Sequence, residues 1–163
     1  MAAEKPKLTL VQNRRNPEEK TYRAIGRFIF AFSQAEYAIR HYLGEAIGLK
    51  EEHFAPVVGT LDVAMLCKIT MEVFEKRRPG KIAARIKKAI KEFQDINGVR
   101  TRVAHGLWVP SMDGGAVSHI SRASFNHPQL KNQAEELDKH ADKLIALRAK
   151  LERAFQESLY GIA

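Results

Sequence analysis

Apolar residues recur every three or four positions over most of the chain, which is the spacing of a helix with one buried face. The first such stretch follows Asn16, where a capping side chain, Pro17 and the acids Glu18 and Glu19 predict a helix start. We expect this helix to end near Gly48. Its apolar face is predicted to consist of Ile25, Phe28, Ile29, Phe32, Ala35, Ile39, Leu43 and Ile47.

Two further helices are predicted in the middle of the chain. Residues 48–59 contain a proline and are interpreted as a connection, after which Thr60 opens a helix with apolar side chains on several sides. Residues 76–80 form a break, because they include adjacent proline and glycine. A third helix is predicted from Lys81 to His105. Its apolar face is expected to be Ile82, Ile86, Ile90, Phe93, Ile96, Val103 and Leu107.

The helical spacing stops at Gly106. Residues 113–115, Asp-Gly-Gly, predict a tight turn between two short extended runs, which is a small hairpin. A last helix is predicted from Pro128 to about Leu159, with one longer step in its apolar spacing over Arg148. Its apolar positions are Leu130, Ala134, Leu137, Ala141, Leu144, Leu151 and Phe155. The sequence therefore predicts an all-α fold, a four-helix up-down bundle with a short β-hairpin inserted before the last helix.

Composition narrows this interpretation. The chain has 163 residues, of which 45% are apolar, enough for one domain with a real core. We predict a flexible basic N-terminal arm over residues 1–16 and a helical domain over residues 17–163. The single cysteine excludes an intrachain disulfide framework, and no cysteine cluster suggests zinc. We expect no metal and no cofactor.

Charge and hydropathy bear on location and partners. The formal net charge of +8 favours a polyanionic partner such as RNA, DNA or anionic lipid. No apolar run resembles a signal peptide or is long enough to span a bilayer. The sequence therefore predicts a cytoplasmic protein without a membrane association.

An arginine interrupts the apolar face of the third helix. Arg100 falls in the middle of that face, Asn97 lies at its edge, and Thr101 and His105 lie on one flank. A buried guanidinium requires a carboxylate or a ligand. Glu36 is the one acid within the apolar face of the first helix, so we predict that Glu36 orients Arg100.

The stretch Arg-Thr-Arg-Val-Ala-His-Gly, residues 100–106, resembles the signature of the HEPN (higher eukaryotes and prokaryotes nucleotide-binding) superfamily. That signature is an Arg, a polar residue, a short spacer and a His at the end of a helix in a four-helix bundle. The resemblance covers residues 17–159 and includes Gly106 and Trp108, which often follow the His in bacterial members. Thr101 stands where Asn or Asp is common in the family.

The resemblance implies a metal-independent endoribonuclease that cleaves RNA through the RNA's own 2′-hydroxyl. Such proteins act as homodimers with a composite site, and many are toxins, countered by an antitoxin protein, or phage-defence factors. In this interpretation His105 moves protons, Arg100 stabilises phosphate charge, and Thr101 completes the catalytic set. Glu36 and Asn97 would support the site. We assign contacts with RNA to the basic residues Arg102, Lys87, Lys88 and Lys91.

Each of these assignments has a structural alternative. His105 beside Gly106 has the position of a histidine that interacts with the last carbonyls of a helix. Arg100 and Glu36 could form a purely structural pair, and lysines on a polar helix face are by default solvated. Trp108 and the aromatic residues Phe28, Phe30 and Phe32 are expected in the core or an interface. A non-catalytic module that binds RNA, a nucleotide or a protein partner is therefore the alternative function.

Overall fold

The computed structural model describes residues 17–109, 116–118, 129–130 and 133–161, and structural statements below refer to these residues. The predicted N-terminal arm, residues 1–16, and the predicted turn at residues 113–115 lie outside them. The described chain is mainly helical, so the all-α prediction is confirmed at that level. Its elements are α1 (Pro17–Ala46), α2 (Glu51–Val57), α3 (Val63–Arg77), α4 (Lys81–His105), β1 (Leu107–Val109), β2 (Ala116–Ser118), β3 (Gln129–Leu130) and α5 (Gln133–Tyr160).

The bounds of α1 agree with the sequence. The helix begins at Pro17, whose ring fixes a helical φ and whose missing N–H would have no partner in a first turn. It ends at Ala46, and Gly48 then adopts a φ of 66°, which glycine reaches without steric cost. The Leu49 amide donates to the Gly44 carbonyl at 2.9 Å, so the last turn is closed by a backbone bond.

The segment between α1 and α3 holds a helix that the sequence did not predict. Residues 48–59 were expected to be a plain connection, but α2 occupies Glu51–Val57. None of its residues is buried, so its sequence has no repeating apolar positions that would predict a helix. Pro56, which lies inside it, also suggested a connection rather than a helix. The Phe54 ring packs so closely on α1 that a Cβ on Gly44 would come within 3.1 Å of it. This short helix folds back along the end of α1.

The next helix, α3, begins later than its predicted opening at Thr60. Asp62 is the N-cap, and its carboxylate accepts a hydrogen bond from the Met65 amide at 2.8 Å. The Thr60 hydroxyl instead donates to the carbonyls of Pro56 and Val57. The predicted break before α4 is confirmed, since α3 ends at Arg77 and α4 begins at Lys81.

The long helices do not alternate in direction. Lys20 near the start of α1 pairs with Glu135 near the start of α5, and Glu45 near the end of α1 accepts a hydrogen bond from Tyr160 at the end of α5. These two helices are therefore parallel. Arg85 of α4 pairs with Glu157 near the end of α5, which makes α4 antiparallel to α5. The expected up-down order of four helices is therefore wrong. After α2 the chain is back beside Arg40 of α1, which donates to the Leu61 carbonyl just before α3. At the other end of α3, Arg77 donates to the Ala46 carbonyl at the end of α1, so α3 runs in the same general direction as α1.

A small antiparallel sheet connects α4 to α5. Its strand order is β1-β2-β3, with Leu107 opposite Ser118 and Val117 opposite Leu130. The pairing of β1 with β2 is where two extended runs were predicted, whereas β3 was not predicted. Since β3 takes Leu130, α5 begins at Gln133 rather than at Pro128.

One continuous core lies between α1, α3, α4 and α5. Leu147 is buried and fills the longer step that the sequence pattern left over Arg148. Ile47, expected on the apolar face of α1, is 46% exposed. None of the described helices is both long and apolar enough to cross a bilayer. The largest fully buried side chains are Phe28, Phe32, Phe74, Phe93, Phe155, Ile39, Leu43, Leu66, Ile86, Ile90, Leu137 and Leu144.

Candidate functional site

The predicted motif occupies the last two turns of α4. The buried side chain of Val103 holds these turns to the core, and the buried Phe93 and Ile96 hold the turns before them. The helix ends because Gly106 adopts an extended conformation, with its amide donating to the Arg102 carbonyl at 2.7 Å. The motif therefore lies at a defined helix end, next to the start of β1.

Arg100 is half-buried and rests on an aromatic ring. Its Cζ lies 6.0 Å from the centroid of the Phe32 ring, a cation–π arrangement. Phe32 is 2% exposed and stacks on Phe93 of α4 with ring centroids 4.7 Å apart. The guanidinium thus covers the end of a buried aromatic pair. Within the described residues, no carboxylate lies at ion-pair distance from Arg100.

The predicted pairing of Glu36 with Arg100 is wrong. Glu36 Oε1 accepts hydrogen bonds from Nε and Nη2 of Arg40, the former at 3.2 Å. Arg40 also donates to the Val58 carbonyl and, at 2.8 Å, to the Leu61 carbonyl. The physical reason is local: residues four apart on one helix face each other, and Arg40 is already held by the chain that leaves α2.

Thr101 and Asn97 interact through the helix backbone. The Thr101 hydroxyl donates to the Asn97 carbonyl at 3.1 Å, the usual bond of a threonine to the preceding turn. Thr101 is exposed and Asn97 is half-buried. The hydroxyl oxygen keeps lone pairs that can accept a further hydrogen bond. Thr101 is therefore accessible to a ligand. The hydrogen bond between Thr101 and Asn97 uses the backbone carbonyl of Asn97 and not its side chain.

His105 is exposed at the last position of α4. It is separated from Arg100 by about 140° around the helix and about 7.5 Å along its axis. Arg100 is directed at Phe32 of α1, so a single copy presents the two motif side chains in different directions. The helix-end position also fits the alternative in which an imidazole interacts with the last carbonyls.

The four basic residues predicted to bind RNA do not form one cluster. Lys87 lies in a groove between α3 and α4, beside Lys68 and Glu72. Lys88 lies on the other side of α4, in a cleft between α4 and α5. Lys91 and Arg102 are exposed on α4 and line neither of these cavities.

Two adjacent cavities follow the contact between α4 and α5 and share Glu92. The first, about 250 Å³, is next to the beginning of α4 and is mostly basic. The second, about 370 Å³, lies nearer the motif and is mixed in charge. The first is lined by Arg85, Lys88, Ala89, Glu92, Lys150 and Arg153. The second is lined by Glu92, Asp95, Ile96, His140, Lys143 and Leu147.

His140 in the second cavity received no role from the sequence. Burial, followed by the nearby Lys143, lowers the pKa of its imidazole, which Glu136 opposes and Arg102 reinforces. Its Nδ1 is buried without a hydrogen-bond partner among the described residues, and its ring lies 6.2 Å from the Phe28 ring. The sequence alone does not indicate that His140 is half-buried, because a histidine in an amphipathic helix is usually exposed. Its burial depends on how α4 packs against α5.

Of the basic residues that line the first cavity, the sequence singled out only Lys88, and Arg85, Lys150 and Arg153 were missed. Arg85 and Lys88 are one turn apart on α4, and Lys150 and Arg153 are one turn apart on α5. That spacing was a usable signal, since each pair shares a helix flank. It could not show that the two flanks meet, because that depends on how α4 and α5 pack.

The aromatic residues are divided between core and surface. The Trp108 indole donates to the Val103 carbonyl at 3.0 Å and packs against the core. Phe28 and Phe32 are buried, as predicted. Phe30 is 68% exposed, so of the two predicted locations, core or interface, the core is excluded for it, and the interface stays a prediction.

Within the described residues, no group of three or more His, Cys, Asp or Glu side chains is arranged to hold a metal ion. Comparison of the chain with family models, with curated proteins and with solved structures gave no match.

Proposed function

We propose that this chain is a metal-independent endoribonuclease of the HEPN type. The observation that carries the proposal is the state of Arg100: within the described residues its charge is balanced by no carboxylate, only supported by the Phe32 ring. A cation held in this way can accept a phosphate as its partner. Thr101 and His105 are exposed on the same helix end, within reach of a ligand bound there.

The proposed reaction uses the chemistry of RNA itself. The 2′-oxygen attacks the adjacent phosphorus, its bond to phosphorus forms, and the bond from phosphorus to the 5′-oxygen breaks. An imidazole removes the proton from the 2′-hydroxyl, and a protonated imidazole supplies one to the 5′-oxygen. Arg100 stabilises the charge on the pentacoordinate phosphate. The products are a 2′,3′-cyclic phosphate and a 5′-hydroxyl.

A homodimer is part of this proposal. Because Arg100 and His105 of one copy are directed differently, one scissile phosphate meets both residue types most easily between two copies. A twofold axis there would bring together two His105 side chains, one as base and one as acid. A toxin or phage-defence role in the cytoplasm, with an antitoxin protein as a further partner, follows from the resemblance alone.

The decisive test is cleavage of single-stranded RNA in EDTA. We expect the purified protein to produce 2′,3′-cyclic phosphate ends and to leave the matching DNA intact, because DNA lacks the 2′-hydroxyl. His105→Ala should reduce the rate by about 100-fold or more. His53→Ala, at another exposed histidine on α2, is the matched control and should keep full activity. A strict requirement for magnesium would exclude the mechanism.

A non-catalytic binding module is the second candidate, and one observation favours it. Arg100 already covers the Phe32–Phe93 pair, which is a sufficient structural reason for an arginine at this position. If the wild-type protein binds a mixed RNA pool without cutting it, and His105→Ala binds equally well, the module is the correct function.

A further inference from the structure

Four cationic side chains from two helices line one small cleft. Arg85 and Lys88 of α4 face Lys150 and Arg153 of α5 across a cavity of about 250 Å³, which we call the basic cleft. It lies on the side of α4 that contacts α5. His105 lies well beyond Lys88 in the same helix, about 25 Å along the helix axis. The basic cleft is therefore separate from the motif.

The charge of the basic cleft is not balanced by nearby acids. Glu92 also lines it, and Arg85 Nη1 is paired with Glu157 Oε2 at 2.6 Å. Lys88, Lys150 and Arg153 have no ion-pair partner among the residues that the structure describes. Two carboxylates against four cations leave an excess of positive charge in one concave place.

Such an arrangement attracts anions, although all four cationic residues are exposed and water screens part of their mutual repulsion. Like charges that converge on a cleft repel each other, and a cleft with low-dielectric walls concentrates their field. Lys88 faces Lys150 and Arg153 across the contact between α4 and α5, and no ion pair among the described residues gives a structural reason for this arrangement. An anionic ligand offsets this repulsion, which is why the cleft points to a binding site rather than to a structural feature.

The lining residues indicate which anionic group fits. None of them is aromatic, so the cleft offers no platform on which a base could stack. It offers charged donors from Lys and Arg, which match phosphate oxygens. Contacts of this kind position a strand without selecting its sequence.

We propose that the basic cleft binds phosphate groups of the backbone of single-stranded RNA, away from the bond that is cut. The choice of RNA as the source of the phosphates rests on the proposed function. Since the cleft is about 25 Å from His105 along α4, one strand reaches both only when it is several nucleotides long. The cleft therefore anchors long RNA and has no contact with a dinucleotide.

Charge reversal tests this site. We would compare Lys88→Glu/Lys150→Glu with Lys50→Glu/Lys68→Glu, which changes the net charge equally at exposed positions on another side. Binding is measured with 2′-O-methylated RNA, which cannot be cleaved through a 2′-hydroxyl, over a series of salt concentrations. The cleft variant should bind at least about tenfold more weakly at low salt. Its salt slope should fall by about 0.7 for each phosphate that the protein no longer neutralises.

A gain of affinity provides a check that misfolding cannot imitate. Glu92→Gln removes a carboxylate that competes with phosphate in the cleft, so RNA should bind more tightly. Single-stranded DNA should compete with RNA for this site, because backbone contacts ignore the 2′-hydroxyl. If inorganic phosphate or pyrophosphate competes as well as RNA does, the cleft binds small anions and the proposal is overturned. Equal loss of binding in the cleft variant and the control variant also overturns it.

The cleft and the nuclease proposal fail in different ways. If wild-type protein never cuts RNA but the cleft variant loses affinity, the cleft assignment stands and the nuclease proposal does not. If wild-type protein cuts RNA while the cleft variant binds as before, the reverse holds. Where both are correct, the cleft variant cuts a dinucleotide at the wild-type rate and long RNA more slowly.

Discussion

Arg40 and Arg100 are both half-buried, yet they are held by very different partners. Arg40 donates to one carboxylate and two backbone carbonyls, and so connects α1 with the chain between α2 and α3. Arg100 contacts one aromatic face. Removal of Arg40 takes one hydrogen-bond donor away from each of three oxygen atoms, whereas removal of Arg100 exposes only a ring. The two residues should therefore differ in what they contribute to stability.

We predict that Arg40→Ala lowers the free energy of unfolding by about 2–3 kcal/mol, because Glu36 and two carbonyls lose their donors. Arg100→Ala should cost less than about 1 kcal/mol, the value of a half-exposed cation–π contact. Urea denaturation of both variants measures the difference. An Arg100→Ala variant as unstable as Arg40→Ala would mean that Arg100 has a buried partner after all.

The candidate site divides into a part the sequence predicted and a part it did not. Arg100, Thr101 and His105 were located correctly at the end of a helix, because an apolar period interrupted by one cation is visible in the amino-acid sequence. The partner of Glu36 was missed, since Arg40 lay outside the apolar face on which the prediction was based. The basic cleft was missed because its two halves, Lys88 on α4 and Lys150 on α5, are far apart in the chain.

At the scale of secondary-structure elements, the sequence predicted long helices with a buried face well and a short, unburied helix not at all. The bounds of α1 and α4 were predicted closely because each helix has a long apolar face and a proline or glycine at its end. The short helix α2 has seven residues and buries none of them, so nothing in its sequence repeats. Its position is fixed by tertiary contact, with Phe54 on Gly44.

Two glycines within the helical framework should respond oppositely to alanine. A Cβ on Gly98 of α4 meets no atom within 4 Å, so Gly98→Ala should stabilise the protein by about 0.5–1 kcal/mol through helix propensity. A Cβ on Gly59 would lie 2.4 Å from the Ala55 carbonyl oxygen, so Gly59→Ala must displace the end of α2. We expect a loss of at least about 1 kcal/mol for Gly59→Ala.

Thermal melts of the two glycine variants at one pH provide the measurement. Opposite shifts of the melting temperature are expected. A stabilised Gly59→Ala variant would show that the connection after α2 can move away from the added methyl group at little cost. Gly98→Ala also leaves the motif side chains unchanged, so it offers a stabilised background for the cleavage experiments.

At the scale of the whole molecule, the motif predicts assembly. Arg100 contacts the Phe32 ring of its own copy, while Thr101 and His105 are exposed beside it. The composite site of the proposed function requires a second copy of the chain. We expect a homodimer in sedimentation velocity at micromolar concentration. A strict monomer, both with and without RNA, would remove the composite site and leave the binding module as the function. Phe30, exposed on α1, provides an internal probe, since Phe30→Ser weakens the dimer only if that face is covered.

The parallel pairing of α1 with α5 has a consequence for how the protein is made. Lys20 and Glu135, a pair at one end of this contact, are separated by 115 positions in the chain. During synthesis α1 leaves the ribosome long before α5 has been made. Until then Phe28 and its apolar neighbours are exposed to water or bound by a chaperone. Final closure depends on contacts between distant parts of the chain, which form slowly. A nascent chain stalled before α5 should therefore be protease-sensitive throughout α1, even where α3 and α4 already form their hairpin.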